Sequence, residues 1–160
     1  MDPGSRVTGY GVIEEQRGEL RVVDCGVIRP DPKRPASQRY LAIHEGLETL
    51  IGRHRPDVMA VESLFFCKSP SSAIKLAQVR GVVLLAGAEA GLEVYEYAPR
   101  RVKQAVVGRG AASKEQVQRM IQALLGLQEA PKPADAADAL AVAICHAQTA
   151  SSPLGSGERT

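Results

Sequence analysis

The sequence is poor in aromatic and sulfur-containing residues and has almost no excess of either charge. Tryptophan is absent, phenylalanine occurs twice in 160 residues, and the three cysteines form no CxxC pair. This cysteine pattern argues against a disulfide framework or a structural zinc site. Hydrophobic residues make up 44% and the net charge is +2. Disorder along the whole chain and a fibrous protein are therefore excluded, which leaves a globular enzyme or binding domain.

Long apolar runs are also missing. The longest, near 81–88, is far too short to span a bilayer, and no signal-peptide pattern opens the chain. These features predict a soluble cytoplasmic protein with no membrane partner. The near-zero net charge by itself argues against a nucleic-acid partner, because phosphate binding usually requires a basic surplus.

The hydrophobic pattern predicts a single domain over 1–148 and a disordered Ser- and Gly-rich tail over 149–160. It begins with a β-hairpin formed by 7–13 and 20–28, joined by a turn at 16–19. Ser37 is predicted to cap the helix that follows. The remaining predicted elements are a helix at 36–54, a strand at 58–64, a helix at 72–90, a strand at 93–97, and helices at 100–107, 113–125 and 134–148. This order predicts an α/β fold with a mixed sheet and helices on both faces.

Four carboxylates lie among apolar or small residues: Asp2, Glu62, Asp135 and Asp138. Glu62 interrupts an apolar strand, and the i, i+3 spacing puts Asp135 and Asp138 on one helix face. Three of the four also have a structural explanation: a turn for Asp2, a salt bridge for Glu62, and the helix dipole for Asp135. Taken together they favour two Mg²⁺ ions about 4 Å apart that hydrolyse a phosphodiester, with Mn²⁺ able to substitute.

Other chemistries lack their defining sequence features. The chain contains no GxxxxGK[ST], GxGxxG or GxSxG motif, which argues against P-loop, Rossmann and α/β-hydrolase sites. The three histidines show no zinc-ligand spacing. Metal-dependent nuclease chemistry is therefore the best fit to the carboxylate set.

Positive charge is concentrated in one segment. Residues 100–119 contain six basic residues and one acidic residue, a local charge of +5, so the remainder carries −3. A basic stripe beside an acidic pocket suits a nuclease, because cations position the phosphate backbone over the site. The alternative is a solvated helix face. Phe65 and Phe66 are also open to two interpretations, as core residues or as residues that stack on an unpaired base.

Five ordered segments resemble the RuvC family of Holliday-junction resolvases. They are 2–11 (DPGSRVTGYG), 60–62 (AVE), 75–81 (KLAQVRG), 102–104 (VKQ) and 134–140 (ADAADAL). The resemblance implies an RNase H-like fold and a homodimer that binds four-way DNA junctions. It implies symmetric, Mg²⁺-dependent nicking of two opposing strands in recombination and repair. RuvA and RuvB, the branch-migration proteins, are the partners that it implies.

The resemblance also implies roles for individual residues. By position, Asp2, Glu62, Asp135 and Asp138 would be the metal-binding catalytic carboxylates. Lys103 and Lys114 would contact DNA or assist catalysis. Phe65 would lie at the junction centre, and Lys68 would contact DNA.

One departure from the family concerns the first strand. Family members have several apolar residues before the Asp-Pro-Gly motif, whereas only Met1 precedes Asp2. A truncated central strand would leave its neighbours with unpaired backbone groups and Asp2 on a frayed terminus. We therefore expect the natural protein to carry further apolar residues ahead of Met1. The alternative function is a non-catalytic junction-binding protein whose metal site is disabled.

Overall fold

The computed structural model describes residues 1–63 and 69–150, and the backbone of 158–159. Its elements are β1 (Thr8–Gln16), β2 (Glu19–Ile28), α1 (Ala36–His54), β3 (Val58–Glu62), α2 (Pro70–Glu89), β4 (Glu93–Tyr97), α3 (Pro99–Val107), α4 (Lys114–Leu124), α5 (Ala134–Ala150) and β5 (Glu158–Arg159). Within these residues, no helix has both the length and the apolar character needed to cross a membrane.

The predicted hairpin is confirmed. Strands β1 and β2 pair antiparallel, from Thr8 opposite Ile28 to Gln16 opposite Glu19. Arg17 and Gly18 form the turn with φ of 55° and 85°, the positive values that a tight two-residue hairpin turn requires. The hairpin therefore follows directly from the local sequence.

The other three strands form a second sheet, in the order β3-β4-β5, with helices on both faces. Strand β3 pairs parallel with β4, and β4 pairs antiparallel with β5, so the sheet is mixed, as predicted. Side chains alternate along β3: Met59 and Val61 belong to a core with α1 and α2, whereas Ala60 packs against the core built around α3, α4 and α5. The same alternation turns Glu62 towards α5.

Some predicted helix and strand ends differ from the structure. Ser37 is not the cap of α1, because the helix begins at Ala36 and its cap is Pro35, whose ring fixes φ at −53°. Helix α2 begins at Pro70, two residues earlier than predicted, because the Ser69 side chain accepts a hydrogen bond from the Ser72 amide. Helix α5 continues to Ala150. The predicted end of β3 at Leu64 lies outside the described residues.

Residues Met1 and Asp2 lie between the hairpin and the other strands. The Asp2 amide donates to the Gly9 carbonyl at 3.0 Å, and the Gly9 amide donates to the Asp2 carbonyl at 2.9 Å. On the other side, the Met1 amine donates to the Ala60 carbonyl at 2.6 Å, and the Glu62 amide donates to the Met1 carbonyl at 2.9 Å. The expectation that Asp2 lies on a frayed terminus is therefore wrong, because its own backbone pairs with Gly9 of β1 and the preceding residue, Met1, is bonded to β3.

Candidate active site

The four sequence-predicted carboxylates converge from three parts of the fold. Asp2 comes directly after Met1, which is hydrogen-bonded to β3, and Glu62 is the last residue of β3. Asp135 and Asp138 lie in the first two turns of α5. Asp2 and Glu62 are hydrogen-bonded to each other through their side chains, and Asp138 interacts electrostatically with both. Asp135 also interacts with Asp2. The fold thus assembles one acidic cluster from residues up to 136 positions apart in the chain.

Burial and mutual repulsion of the carboxylates favour the binding of protons or cations to this cluster. Burial raises the pKa of Asp2 to about 6, and the charges of Asp138 and Asp135 raise it further, against the opposing effect of the Met1 amine. Burial raises the pKa of Glu62 to about 7, with additional contributions from Asp2 and Asp138. Closely spaced, desolvated carboxylates cannot all be charged without compensation. A bound divalent cation would supply that compensation.

The donor set suits a hard divalent cation. All four candidate ligands are carboxylates, the oxygen donors that Mg²⁺ prefers, whereas zinc prefers nitrogen and sulfur. In the part of the chain that the structure describes, the one group of three potential ligand atoms all within 4.8 Å of one another is His44, Glu48 and Glu89. The carboxylate oxygens of the four acids are therefore farther apart than the ligand atoms around one bound ion would be. Mutual repulsion between carboxylates predicts this separation.

Both predicted lysines line the same site. Lys103, Lys114, Glu62 and Asp138 surround a cavity of about 180 Å³. The Lys114 Nζ lies 2.6 Å from an Asp138 carboxylate oxygen, and this hydrogen bond raises the pKa of the lysine. The Lys103 Nζ donates to the Ala112 carbonyl at 3.0 Å. The Lys114 ammonium is therefore paired within the acidic cluster, whereas the Lys103 ammonium is held beside it by a backbone carbonyl.

The basic stripe lies on α3, α4 and the loop between them, and these two helices carry Lys103 and Lys114 to the cavity. Arg100, Arg101, Arg109 and Arg119 are exposed, so their charges are available to a polyanion. Phe65 and Lys68, the predicted junction-contacting residues, lie outside the described residues. Their roles remain predictions.

Three contacts that the sequence interpretation missed position the acids. Gly9 packs against the start of α5 so tightly that a Cβ there would clash with the Asp135 carbonyl oxygen. The fully buried Thr8 donates its hydroxyl to the Gly4 carbonyl at 3.1 Å, and Arg39 donates to the Ser5 carbonyl at 3.3 Å. Thr8 and Gly9 lie in the first motif, but nothing in the sequence relates Arg39 to residue 5.

The Thr8 contact gives a testable prediction. Thr8→Val keeps the side-chain shape but leaves the Gly4 carbonyl without this donor, so we expect a loss of about 1–2 kcal/mol in the free energy of unfolding. We also expect weaker Mg²⁺ affinity, because the loop joins Asp2 to β1. Chemical denaturation and isothermal titration measure the two effects. Thr49→Val is the control, since the Thr49 hydroxyl also donates to a backbone carbonyl four residues away, but on the exposed face of α1. An equal loss of stability and of Mg²⁺ affinity in both variants would contradict a special role for Thr8.

Comparison with known proteins gives consistent results. Residues 1–146 match the model of the family described as "Crossover junction endodeoxyribonuclease RuvC". A curated protein of that name from Halothermothrix orenii is 51% identical over 146 residues, which cover 91% of this chain and 88% of the relative. Another, from Chloroflexus aggregans, is 51% identical over 150 residues, 94% of this chain and 92% of the relative.

A solved structure is similar over almost the whole chain. The structure described as "T. thermophilus RuvC in complex with Holliday junction substrate" superposes with a TM-score of 0.93 and 39% sequence identity. The match covers 99% of this chain and 96% of that one. The RNase H-like fold predicted from the motifs is therefore confirmed.

Proposed function

Because the chain belongs to the RuvC family of crossover junction endodeoxyribonucleases, we propose that it resolves four-way DNA junctions by Mg²⁺-dependent, symmetric nicking of two opposing strands. The observation that carries this proposal is the acidic cluster of Asp2, Glu62 and the two α5 aspartates, with Lys114 paired to it. RuvA and RuvB are the proposed protein partners, and a cytoplasmic location is proposed with them.

The metal ligands are proposed to be Asp2, Glu62, Asp135 and Asp138. Bound Mg²⁺ would activate a water and stabilise the leaving oxygen of a scissile phosphate. The protein supplies the carboxylates on backbone that is already fixed: Asp2 bonds to Gly9, and Glu62 bonds to Met1. This preorganisation keeps the ligands in place before the metal or the DNA binds.

The two lysines are proposed to act on the DNA backbone. Lys114 is held by Asp138 at the cavity, where its ammonium would donate to a phosphate oxygen of bound DNA. Lys103 lines the same cavity and is held by the Ala112 carbonyl. With the exposed arginines of the basic stripe, they would orient the scissile strand without reading its sequence.

A homodimer is supported by an uncovered apolar surface on α1 and α2. Leu41, Ile74 and Leu85 are 56%, 59% and 52% exposed, which is unusual for large apolar side chains on neighbouring helices. Ile74 and Leu85 lie 11 positions apart on α2, close to three helical turns, so they share one face. We propose that a second copy of this chain covers the patch, which brings two active sites to one junction.

The dimer patch yields a prediction. The double substitution Ile74→Lys with Leu85→Lys should weaken dimerisation by at least about 100-fold, because each buried apolar side chain contributes about 1.5–3 kcal/mol. Analytical ultracentrifugation measures the dissociation constant. Val23→Lys is the matched control, since Val23 is 51% exposed but lies on β2. An unchanged dissociation constant for the double variant would contradict this interface.

Substrate comparison tests the proposed activity. Four-way, linear duplex and RNA–DNA hybrid substrates should be incubated with the protein in Mg²⁺ and in EDTA. We expect nicking of the four-way substrate only, and only with Mg²⁺. Equal cleavage of the hybrid would instead indicate a general RNase H-like nuclease.

The alternative of a non-catalytic junction-binding protein is less well supported. It depends on a disabled metal site, yet Asp2 is bonded to Gly9 and hydrogen-bonded to Glu62. Tight junction binding without any metal-dependent nicking would favour that alternative.

A further inference from the structure

Helix α2 consists of a packed half and a half that is largely uncovered. Its buried residues are Val79, Val83, Ala86 and Gly87. The residues before them, 70–78, include no buried residue, and all but two of them are exposed. We call 70–78 the arm of α2. In the part of the chain that the structure describes, neither hydrophobic core includes a side chain of the arm, so apolar packing does little to fix its direction.

An ion pair joins α2 to the sheet just after the arm ends. The Arg80 guanidinium donates to both carboxylate oxygens of Glu96, from Nε at 2.5 Å and from Nη2 at 2.6 Å. Both side chains are partly buried, with 27% and 13% of their surfaces exposed. A two-point contact between planar groups fixes direction as well as distance. The pair therefore fixes the beginning of the packed half of α2 on β4.

Glu96 connects this ion pair to the acidic cluster. In the parallel register of β3 and β4, Glu96 lies opposite Val61, and the next residue, Tyr97, lies opposite Glu62. The Ser63 amide continues the pairing by donating to the Tyr97 carbonyl at 3.0 Å. The ion pair therefore relates the direction of the arm to the strand end that carries Glu62.

The charge and position of the arm suit a polyanion. It contains one basic residue, the exposed Lys75, and no acidic residue. The chain enters α2 through the arm from the carboxyl end of β3, which is the end of parallel strands where ligands usually bind. A DNA strand that passes over Glu62 would therefore meet the arm.

We propose that Arg80 and Glu96 are positioning residues, which hold the arm of α2 in the direction that a four-way junction needs in order to bind over the acidic cluster. The inference rests on the proposed junction-resolving function. It assigns no DNA contact to Arg80 itself, because Glu96 accepts its hydrogen bonds and thereby raises the pKa of the arginine. Loss of the pair should weaken junction binding rather than slow the nicking of bound DNA.

Glu96→Gln separates this role from simple electrostatics, because the two effects have opposite signs. Removing a negative charge strengthens DNA binding by itself, whereas releasing the arm weakens it. We expect the dissociation constant of the four-way junction, measured in Ca²⁺, to rise about tenfold. The single-turnover nicking rate in Mg²⁺ at saturating protein should stay within about twofold. Glu19→Gln is the matched control, since it makes the same change in the exposed Arg21–Glu19 pair and should alter neither value.

Arg80→Lys provides the second test. Lysine keeps the positive charge but lacks the planar fork, so we expect weaker junction binding here as well. If Arg80 instead bound a phosphate directly, Arg80→Lys would keep most of the affinity and Glu96→Gln would bind more tightly. That pair of results would overturn the proposal.

Amide hydrogen exchange measures the arm without any DNA. In both variants we expect faster exchange in 74–79, because the arm has lost its attachment to the sheet. Exchange in 83–89 should be unchanged, which shows that the packed half of α2 is still folded. Unchanged exchange in 74–79 would overturn the proposed anchoring.

The unsubstituted chain distinguishes a failure of this inference from a failure of the proposed function. If that chain neither bound nor nicked the junction, the proposed function would be overturned, and the inference with it. If it is active, unchanged or tighter junction binding by Glu96→Gln would overturn the inference alone. Weaker binding that is fully explained by weaker dimerisation in analytical ultracentrifugation would also overturn it, because the arm carries Ile74 of the proposed dimer patch.

Discussion

Asp135→Asn is expected to lower Mg²⁺-dependent nicking of a four-way junction by about 100- to 1000-fold, because a metal ligand stabilises the transition state by several kcal/mol. Junction binding should stay within about twofold, since the phosphate contacts come from basic residues. The amide keeps the shape of the side chain but removes its charge. Single-turnover nicking and a gel-shift titration in Ca²⁺ separate the two effects.

The position of Asp135 makes this a specific test. The residue lies at the start of α5, where Gly9 allows β1 to approach its backbone. Glu14→Gln is the matched control, because it removes an exposed carboxylate from β1 and should leave both measurements unchanged. Full Mg²⁺-dependent nicking by Asp135→Asn would contradict the ligand assignment.

Asp138→Asn is expected to stabilise the metal-free protein at pH 8 and to have little effect on stability near pH 4. Burial raises the pKa of Asp2 to about 6 and of Glu62 to about 7, and Asp138 contributes to both increases. A raised carboxyl pKa means that the folded state holds its proton more tightly than the unfolded state. The stabilisation that comes from this tighter proton binding is therefore fully present below about pH 4 and is lost as the pH rises to about 7.

Removing the Asp138 charge should reduce that loss. We expect the thermal midpoint of metal-free Asp138→Asn at pH 8 to exceed that of the unsubstituted chain by a few degrees, roughly 2–4 °C for each kcal/mol gained. The broken Lys114–Asp138 pair offsets little, because both side chains are partly exposed. Comparing the two proteins at each pH cancels the titrations of other groups.

With added Mg²⁺ at pH 8, the unsubstituted chain should become more stable than Asp138→Asn. The unsubstituted chain gains stability by binding the ion in its folded state, whereas the variant gains less because it has lost a ligand. Differential scanning calorimetry with and without Mg²⁺ measures both effects. A variant that is less stable than the parent at pH 8 without metal would contradict the repulsion within the cluster. An equal Mg²⁺ shift in both proteins would contradict Asp138 as a ligand.

Local signals in the sequence predicted much of the fold. The Arg17–Gly18 turn and the i, i+3 spacing of Asp135 and Asp138 depend on neighbouring residues, so they can be recognised from the sequence. The cap of α1 was predicted wrongly at Ser37, because Pro35 can begin a helix without a side-chain cap. Helix ends depend on a few tenths to about 2 kcal/mol of local free energy, which leaves several positions nearly equivalent.

The contacts that hold the site together could not be predicted in this way. Arg39 and Ser5 are 34 residues apart, and their bond exists only because α1 packs beside the loop after Asp2. The need for a glycine at position 9 likewise arises only because α5 packs closely against β1, and α5 begins more than a hundred residues later in the chain. The acidic residues were therefore recognisable as a set, whereas their raised pKa values and the residues that position them required the fold.

Strand-resolved nicking of a synthetic four-way junction tests the central claim most directly. Each strand carries its own label, and the protein is incubated with Mg²⁺ or with EDTA. The account predicts nicks at symmetric positions in two opposing strands, with 5′-phosphate and 3′-hydroxyl ends, in Mg²⁺ only. Binding of the junction without nicks, or nicks that persist in EDTA, would contradict it.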